Sequence, residues 1–400
     1  MSEPLVAINL PVYNGAETLR RQIDSILNQT FGDFRLYISD NASNDGSSDI
    51  CREYLNDHRV NYYRNIENIG FDLNFKRGLY SGFESEFLIY ASANDFWEPR
   101  YLEECVKALN HNPEASLAYS YCWLIKDGQR RLYQDSFDLC GKNTAERLTE
   151  VMGKIDLCTA FYGLMRSRFV RQNEAFLYAL SAGNDNLLLN AMAISGPFVQ
   201  LKEPLFNRER PSHEGLSLSD RRIAVETINR RRHYIPCFPF LNHMRSCLRL
   251  LQSTPDFDFQ TKNALCDEIV QISLTRSLHH IEAEIKTAVD NMVAGRMHTG
   301  FSGDTAYSDG LYQYIDYFTR IVVVSHLEDA KIFLPYPPPS GLHLGLAICY
   351  IGLSRYNEAM AAVGTEMEIC ALHKDASSLK YAAIARQIAK QLSKKTEDCN

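Results

Sequence analysis

Three aspartates, Asp40, Asp95 and Asp185, stand in polar, turn-forming segments directly beside apolar runs, where a carboxylate can be aimed at a ligand. Asp40 follows the run Phe34–Ser39 and opens Asp-Asn-Ala-Ser-Asn-Asp-Gly. An ionised carboxylate offers only acceptors, so Asp40 suits a partner presenting N–H groups. Asp95 ends Ser92-Ala-Asn94-Asp95, and carboxylate oxygen is what a hard divalent cation prefers. Asp185 precedes Asn-Leu-Leu-Leu. A carboxylate there can take a proton from a hydroxyl, or it can cap a helix, for which Asp is favoured. Farther on, Arg208-Glu-Arg210-Pro-Ser-His213 supplies two guanidinium groups suited to an anion. His213 reads equally as a ligand or as a surface residue.

These residues need a scaffold, and short apolar runs alternating with helical patterns up to about Leu218 supply one. Leu5–Leu10 is a buried-strand candidate closed by Pro11. Leu19, Ile23, Ile26 and Leu27 recur at helical spacing. Phe34–Ser39 is the second strand, and Ser47 or Ser48 is placed to cap the next helix. Val60–Arg64 is the third strand, a helix follows around 74–82, and Phe87–Ala91 is the fourth strand. A helix starts near Pro99, and Ala115–Ile125 is a further strand. The fold class is therefore α/β. Loops at the carboxyl ends of such strands are where ligands bind.

Taken in order, the loops resemble family 2 of the glycosyltransferases, inverting enzymes of the GT-A fold that use nucleotide-diphosphate sugars. The resemblance covers roughly residues 4–215. Pro11-Val-Tyr13-Asn14-Gly looks like the family's P-x-Y-N loop, which implies that Pro11, Tyr13 and Asn14 line the nucleoside. The segment 39–46 is similar to the D-[DN]-x-S-x-D-G signature, which implies that Asp40 accepts a hydrogen bond from the base, with Asp45 and Gly46 shaping the loop. Asn68-Ile-Gly70-x-x-x-Asn74 resembles N-x-G-x-x-x-N, set against the donor. There Gly70 permits close approach or positive φ, and Asn74 would face the site from a helix start.

Tyr90–Pro99 looks like the family's metal-binding strand end, usually D-x-D or D-x-D-D before W-x-P. This chain departs from it: Ser92 and Asn94 stand at two acidic positions, and only Asp95 keeps its charge. Ser92 and Asn94 remain donor-side candidates. The resemblance implies Mn²⁺ or Mg²⁺ on Asp95, with Asn94 and His213 completing the set. The alternatives are a loosely held ion, an enzyme less dependent on metal, or a silent domain. Asp185 falls where the family carries its catalytic base. Arg208 and Arg210 would neutralise the diphosphate. The segment 161–166 lies on the acceptor side with no assigned role.

Composition limits the rest. Hydrophobic residues make up 45% and charged residues 23%, enough for a substantial core. A formal net charge of −7 argues against a nucleic-acid partner. Eleven scattered cysteines without zinc-ligand spacing read as reduced thiols. The N-terminal segment lacks a signal-peptide pattern, and no apolar run nears the ~20 residues of a spanning helix. Together these point to a cytoplasmic protein. A basic concentration (Arg221, Arg222, Arg230–232, His233, Arg245, Arg249) reads as a solvated face or as a patch for an anionic inner membrane surface.

Residues 1–218 are thus expected to form a GT-A domain with a mostly parallel sheet, and 219–400 an all-α region. Within that region, 341–375 reads as a plain helical hairpin or one tetratricopeptide-like unit. The expected reaction moves a sugar from a UDP-, GDP- or dTDP-linked donor to a hydroxyl of a glycan, lipid-linked or protein acceptor. The alternative is a silent nucleotide-sugar-binding scaffold that meets a protein partner through its C-terminal helices. A nucleotide-sugar pyrophosphorylase ranks third, for want of a G-x-G-x-R loop after strand one.

Overall fold

A computed structural model describes residues 3–134, 137, 139–155, 157–174, 184–209, 239–255, 257–293 and 342–397. Arg210, His213, most of the basic concentration and the Gly- and Pro-rich stretches near 300–310 and 335–339 lie outside the described residues. The chain divides into two compact units, Met1–Ile228 and Asn229–Asn400.

In the first unit β1 (Val6–Val12), α1 (Ala16–Leu27), β2 (Phe34–Asp40), α2 (Ser47–Glu53), β3 (Val60–Arg64), α3 (Phe71–Ser81) and β4 (Phe87–Tyr90) alternate. Then come β5 (Phe96–Trp97), α4 (Tyr101–His111), β6 (Leu117–Lys126), β7 (Gln129–Tyr133) and α5 (Thr144–Lys154). A 3₁₀ turn (Thr159–Tyr162), β8 (Leu164–Arg166), α6 (Ser167–Gln172), α7 (Asn184–Ser195) and β9 (Phe198–Glu209) complete it. The nine strands form one sheet in the order β3-β2-β1-β4-β8-β6-β9-β5, with β7 on β6. Strands β1 to β4 pair in parallel, as do β6 and β9. Short β8 runs antiparallel to both β4 and β6 and joins the two halves.

Alternation along the strands builds two cores, since successive side chains point to opposite faces. Ile8, Leu10, Phe87 and Ile89 meet Leu19, Ile23 and Ile26 of α1 and Leu102, Cys105 and Leu109 of α4. Leu88, Tyr90, Leu117 and Tyr119 meet Val151 of α5 and Leu188, Leu189 and Met192 of α7 on the other face. Each fully buried aliphatic side chain of α1 stabilises by about 1.5–3 kcal/mol over exposure. The fold is the expected α/β sheet flanked by helices.

Two local readings need correction. The first strand continues through Pro11 to Val12. The Asn41 N–H reaches the Val12 carbonyl and the Ala91 N–H reaches that of Asn9, so even residues of β1 face β2 and odd ones face β4. Pro11 therefore lacks its N–H on the β4 side, beyond the last β1–β4 pair at Asn9–Tyr90, where no ladder bond is lost. Helix α2 is not capped by Ser47 or Ser48; Gly46 precedes it at φ 96°, and both hydroxyls turn to Asp45 and Asp40 instead.

The second unit holds α8 (Pro239–Ser253), α9 (Phe259–Val293), α10 (Leu342–Gly352), α11 (Tyr356–His373) and α12 (Ala376–Glu397). Lys374 ends α11 at φ 56°, with Asp375 N–H bonded to Cys370 O and Lys374 N–H to Ala371 O, a Schellman close without glycine. Asp375 then caps α12 by accepting from Ser378 N at 3.0 Å. Glu366, fully buried, accepts from the His343 and Leu344 amides at the start of α10. Among the described residues no helix is long and apolar enough to cross a membrane.

Candidate active site

The loops leaving β1, β2 and β4 meet at the carboxyl end of the sheet. The β1 and β2 loops are laced together by side chains taking backbone N–H groups. Asn14 N donates to Ser43 Oγ (3.0 Å), Asn44 N to Asn14 Oδ1 (2.9 Å) and Gly15 N to Ser47 Oγ (2.9 Å). Asp45 joins two helix starts, accepting from Ala16 N on one oxygen and Ser47 N on the other. Asn14 takes φ 50°, which Asn tolerates. Tyr13 is left 52% exposed. A Cβ on Gly15 would lie 3.1 Å from Ala93 Cβ, so the β1 loop also abuts the β4 loop.

Asp40 is fully buried. Its Oδ1 accepts from Ser43 N (2.8 Å), and its Oδ2 accepts from Ser48 Oγ (2.6 Å) and Tyr62 OH (2.8 Å), with Arg64 Nε 3.3 Å away. Burial works to raise this carboxyl, but the hydrogen bonds from Ser43, Ser48 and Tyr62 outweigh it and hold it below the ordinary value. Both oxygens are engaged by donors of the chain, and the carboxylate shapes the loop. Asn74 is likewise turned in. It accepts from Ser39 Oγ (2.6 Å) and Asn65 Nδ2 (2.9 Å) and donates to Ser39 O (2.9 Å). Asn41, to which the sequence reading gave no role, links this network to the surface by donating to Asn68 Oδ1 (2.8 Å) and Gly70 O (3.2 Å). Asn68 stays exposed, and Gly70 has φ 89°. Of the three asparagine-loop candidates, Asn68 and Gly70 face outward and Asn74 does not.

After β4, Ser92 Oγ donates to Asn94 Oδ1, and Asn94 Nδ2 donates to Glu209 O at 2.8 Å. Asp95 is buried and accepts from Glu209 N at 3.2 Å. Burial pushes the Asp95 carboxyl up to about 7, against the pull of the Arg208 charge, the Glu209 N–H and Arg21. Arg21 pairs with the Glu209 carboxylate and packs over Phe96, its Cζ 4.4 Å from the ring centroid. Arg21 and Glu209 were missed in the sequence because α1 and β9 bring them here from distant segments.

Tyr162 ties in the remaining candidates. Burial raises its hydroxyl strongly, followed by the negative charge of Asp95; Arg208 opposes, and Asp185 adds to the rise. Asp95, Arg208 and Asp185 thus share one electrostatic neighbourhood. Arg208 Nη1 donates to Leu157 O, and its Cζ lies 5.7 Å from the Tyr162 ring centroid. Asp185 is the second residue of α7 and partly buried, with Oδ1 accepting from Asn186 N at 2.9 Å. It sits inside the first helical turn.

The described part of the expected metal set offers one carboxylate, Asp95: serine and asparagine replace two acids, and Asn94 is oriented by bonds at both ends of its amide. His213 lies outside the described residues. Among the described residues no group of three His, Cys, Asp or Glu side chains comes together to hold an ion.

Residues 8–172 match a family model described as glycosyl transferase family 2. The glycosyltransferase GlyA of Streptococcus pneumoniae is 24% identical over 180 residues, 42% of this chain and 25% of that protein. The chondroitin synthase of Escherichia coli is 27% identical over 207 residues, 51% of this chain and 29% of that protein. The chain thus spans less than a third of either relative. The crystal structure of S. aureus TarS 1-349 in complex with UDP-GlcNAc is similar in fold, with a TM-score of 0.56, 13% identity and 91% of each chain covered.

Proposed function

Because residues 8–172 match a family model described as glycosyl transferase family 2, we propose that this chain transfers a sugar, with inversion, from a nucleotide-diphosphate sugar to a hydroxyl of a glycan or glycoconjugate. The observation that supports the reading is the lacing of the β1 and β2 loops by side chains at the carboxyl end of the sheet, with Arg208 packed beside Tyr162. Tyr13, Asn68 and Gly70 are the outward groups of those loops and would contact the nucleoside. Asp40, Asn41 and Asn74 hold the loops in shape behind them.

In the reaction, Asp185 takes the acceptor hydroxyl's proton. The acceptor oxygen bonds to the anomeric carbon while the bond from that carbon to the diphosphate oxygen breaks. Arg208 faces the charge that appears on the departing diphosphate. The helical unit 229–400 would dock an acceptor or a protein partner. UDP-sugars head the compounds to test, since the similarly folded TarS is described with UDP-GlcNAc. Calorimetry of the full chain against UDP-, GDP- and dTDP-sugars, followed by an assay of donor hydrolysis, tests the reading. Binding of one donor with slow hydrolysis supports it; binding without any turnover, with or without acceptor glycans, favours a scaffold.

A further inference from the structure

The mismatch between the β4 strand end and a metal site has a counterpart in the charges around it. Asp95 is met by Glu209 N–H, Glu209 is paired with Arg21, and Arg21 also donates to Asn94 O at 3.3 Å. The Glu209 carboxylate is therefore spent on Arg21, and Asp95 is turned to the Glu209 amide. A site for a hard divalent ion instead needs several oxygens aimed at one point and surplus negative charge.

Arg208 is different from Arg21. It is half-buried, and among the described residues no carboxylate lies within ion-pair distance of it. One N–H is taken by Leu157 O. A guanidinium has five N–H donors in a rigid fork, and that fork matches phosphate oxygens two at a time. A half-buried cation with no carboxylate within ion-pair distance among the described residues is suited to an anionic ligand.

Building on the transferase reading, we propose that Arg208 neutralises the donor diphosphate in place of a divalent metal, so that this enzyme binds and cleaves its donor in the absence of metal ions. The electron pair of the broken bond stays on the diphosphate oxygen, beside the guanidinium, and the acceptor proton goes to Asp185. Asp95, which accepts from the N–H of Glu209 next to Arg208, is a positioning residue. Glu209 and Asn94 fix the backbone between them.

The test is calorimetric titration of the full chain with UDP, GDP and dTDP and with their monophosphates, in EDTA and again in Mn²⁺. The expected result is one diphosphate whose affinity differs by no more than about twofold between the two buffers. Arg208→Gln should weaken that diphosphate by roughly tenfold or more, as for loss of a charge-assisted hydrogen bond, and its monophosphate much less. Arg208→Lys, which keeps the charge, should retain part of the difference; thermal melting checks that both variants fold. A diphosphate affinity that rises tenfold or more with Mn²⁺ overturns the proposal and leaves the transferase reading standing. Equal losses for diphosphate and monophosphate in Arg208→Gln also overturn it. Failure of every nucleotide to bind in either buffer removes the transferase reading and this inference together.

Discussion

Ser39 and Asn74 hold each other from both ends: Ser39 Oγ donates to Asn74 Oδ1 at 2.6 Å, and Asn74 Nδ2 donates back to Ser39 O at 2.9 Å. The pair is buried and fixes the end of β2 to α3. Asn65 also donates to Asn74 Oδ1. Asn74→Ala removes an acceptor shared by two buried donors, and each buried group left unsatisfied costs about 1–3 kcal/mol. We expect a loss of at least about 2 kcal/mol in urea unfolding, with donor affinity falling as the Asn41–Asn68 loop loosens. An unchanged midpoint would mean water replaces the pair without cost.

Asp40 gives a pH-dependent prediction. Its carboxyl is held below the ordinary value, so the folded state binds the proton more weakly than the unfolded state, which titrates near 3.9. Stability from this group is fully present above that pH and is lost as pH falls through the folded value. Asp40→Asn turns an acceptor-only group into one whose NH₂ faces Ser43, Ser48 or Tyr62. The variant should be less stable by about 1.5–3 kcal/mol at pH 7, and the gap should narrow toward pH 3. Urea midpoints of both proteins across that range check it; a gap independent of pH would refute the sign.

Gly163 tests the packing that presents Tyr162. A Cβ there would sit 2.6 Å from Ala118 O and 2.8 Å from Tyr119 Cβ, against the backbone of β6. Backbone cannot swing aside as a flexible side chain can. Gly163→Ala should therefore cost about 1–3 kcal/mol, the range for overpacking, and reduce turnover by shifting Tyr162. A Gly153→Ala control on α5, where an added Cβ meets nothing within 4 Å, should be neutral or slightly stabilising.

The comparison of sequence and structure turns on how local each signal is. Strand β3 was legible to the residue at Val60–Arg64, and the β1, β2 and β4 loops announced themselves through Asn, Asp and Gly after apolar runs. Whether a loop side chain turns in or out was not legible. Asp40 is captured because parallel pairing sets it opposite Arg64 and brings up Tyr62, 22 residues away. Glu209 reaches Asn94 and Asp95 only because two-residue β5 pairs Phe96 with Asn207, a contact with no local pattern. The α2 start misled for a related reason: Ser47 and Ser48 are good caps in isolation, but Asp45 and Asp40 compete for their hydroxyls.

Asp185 is where an enzyme and a silent scaffold differ most. The residue lies in the first turn of α7, where a negative charge favours the helix by about 0.3–1 kcal/mol, so its replacement is mild for the fold. Asn has nearly the same volume and can still accept from the Asn186 amide, the one hydrogen bond described for Asp185 Oδ1. Asp185→Asn therefore removes the charge and the proton acceptor while leaving the local geometry in place. We expect a melting temperature within a few degrees of the parent, unchanged affinity for the nucleoside diphosphate, and transfer reduced by about 10²–10⁴-fold, the usual contribution of a positioned base. Transfer at the parental rate would take Asp185 out of the mechanism and direct the search to other acids on the acceptor side.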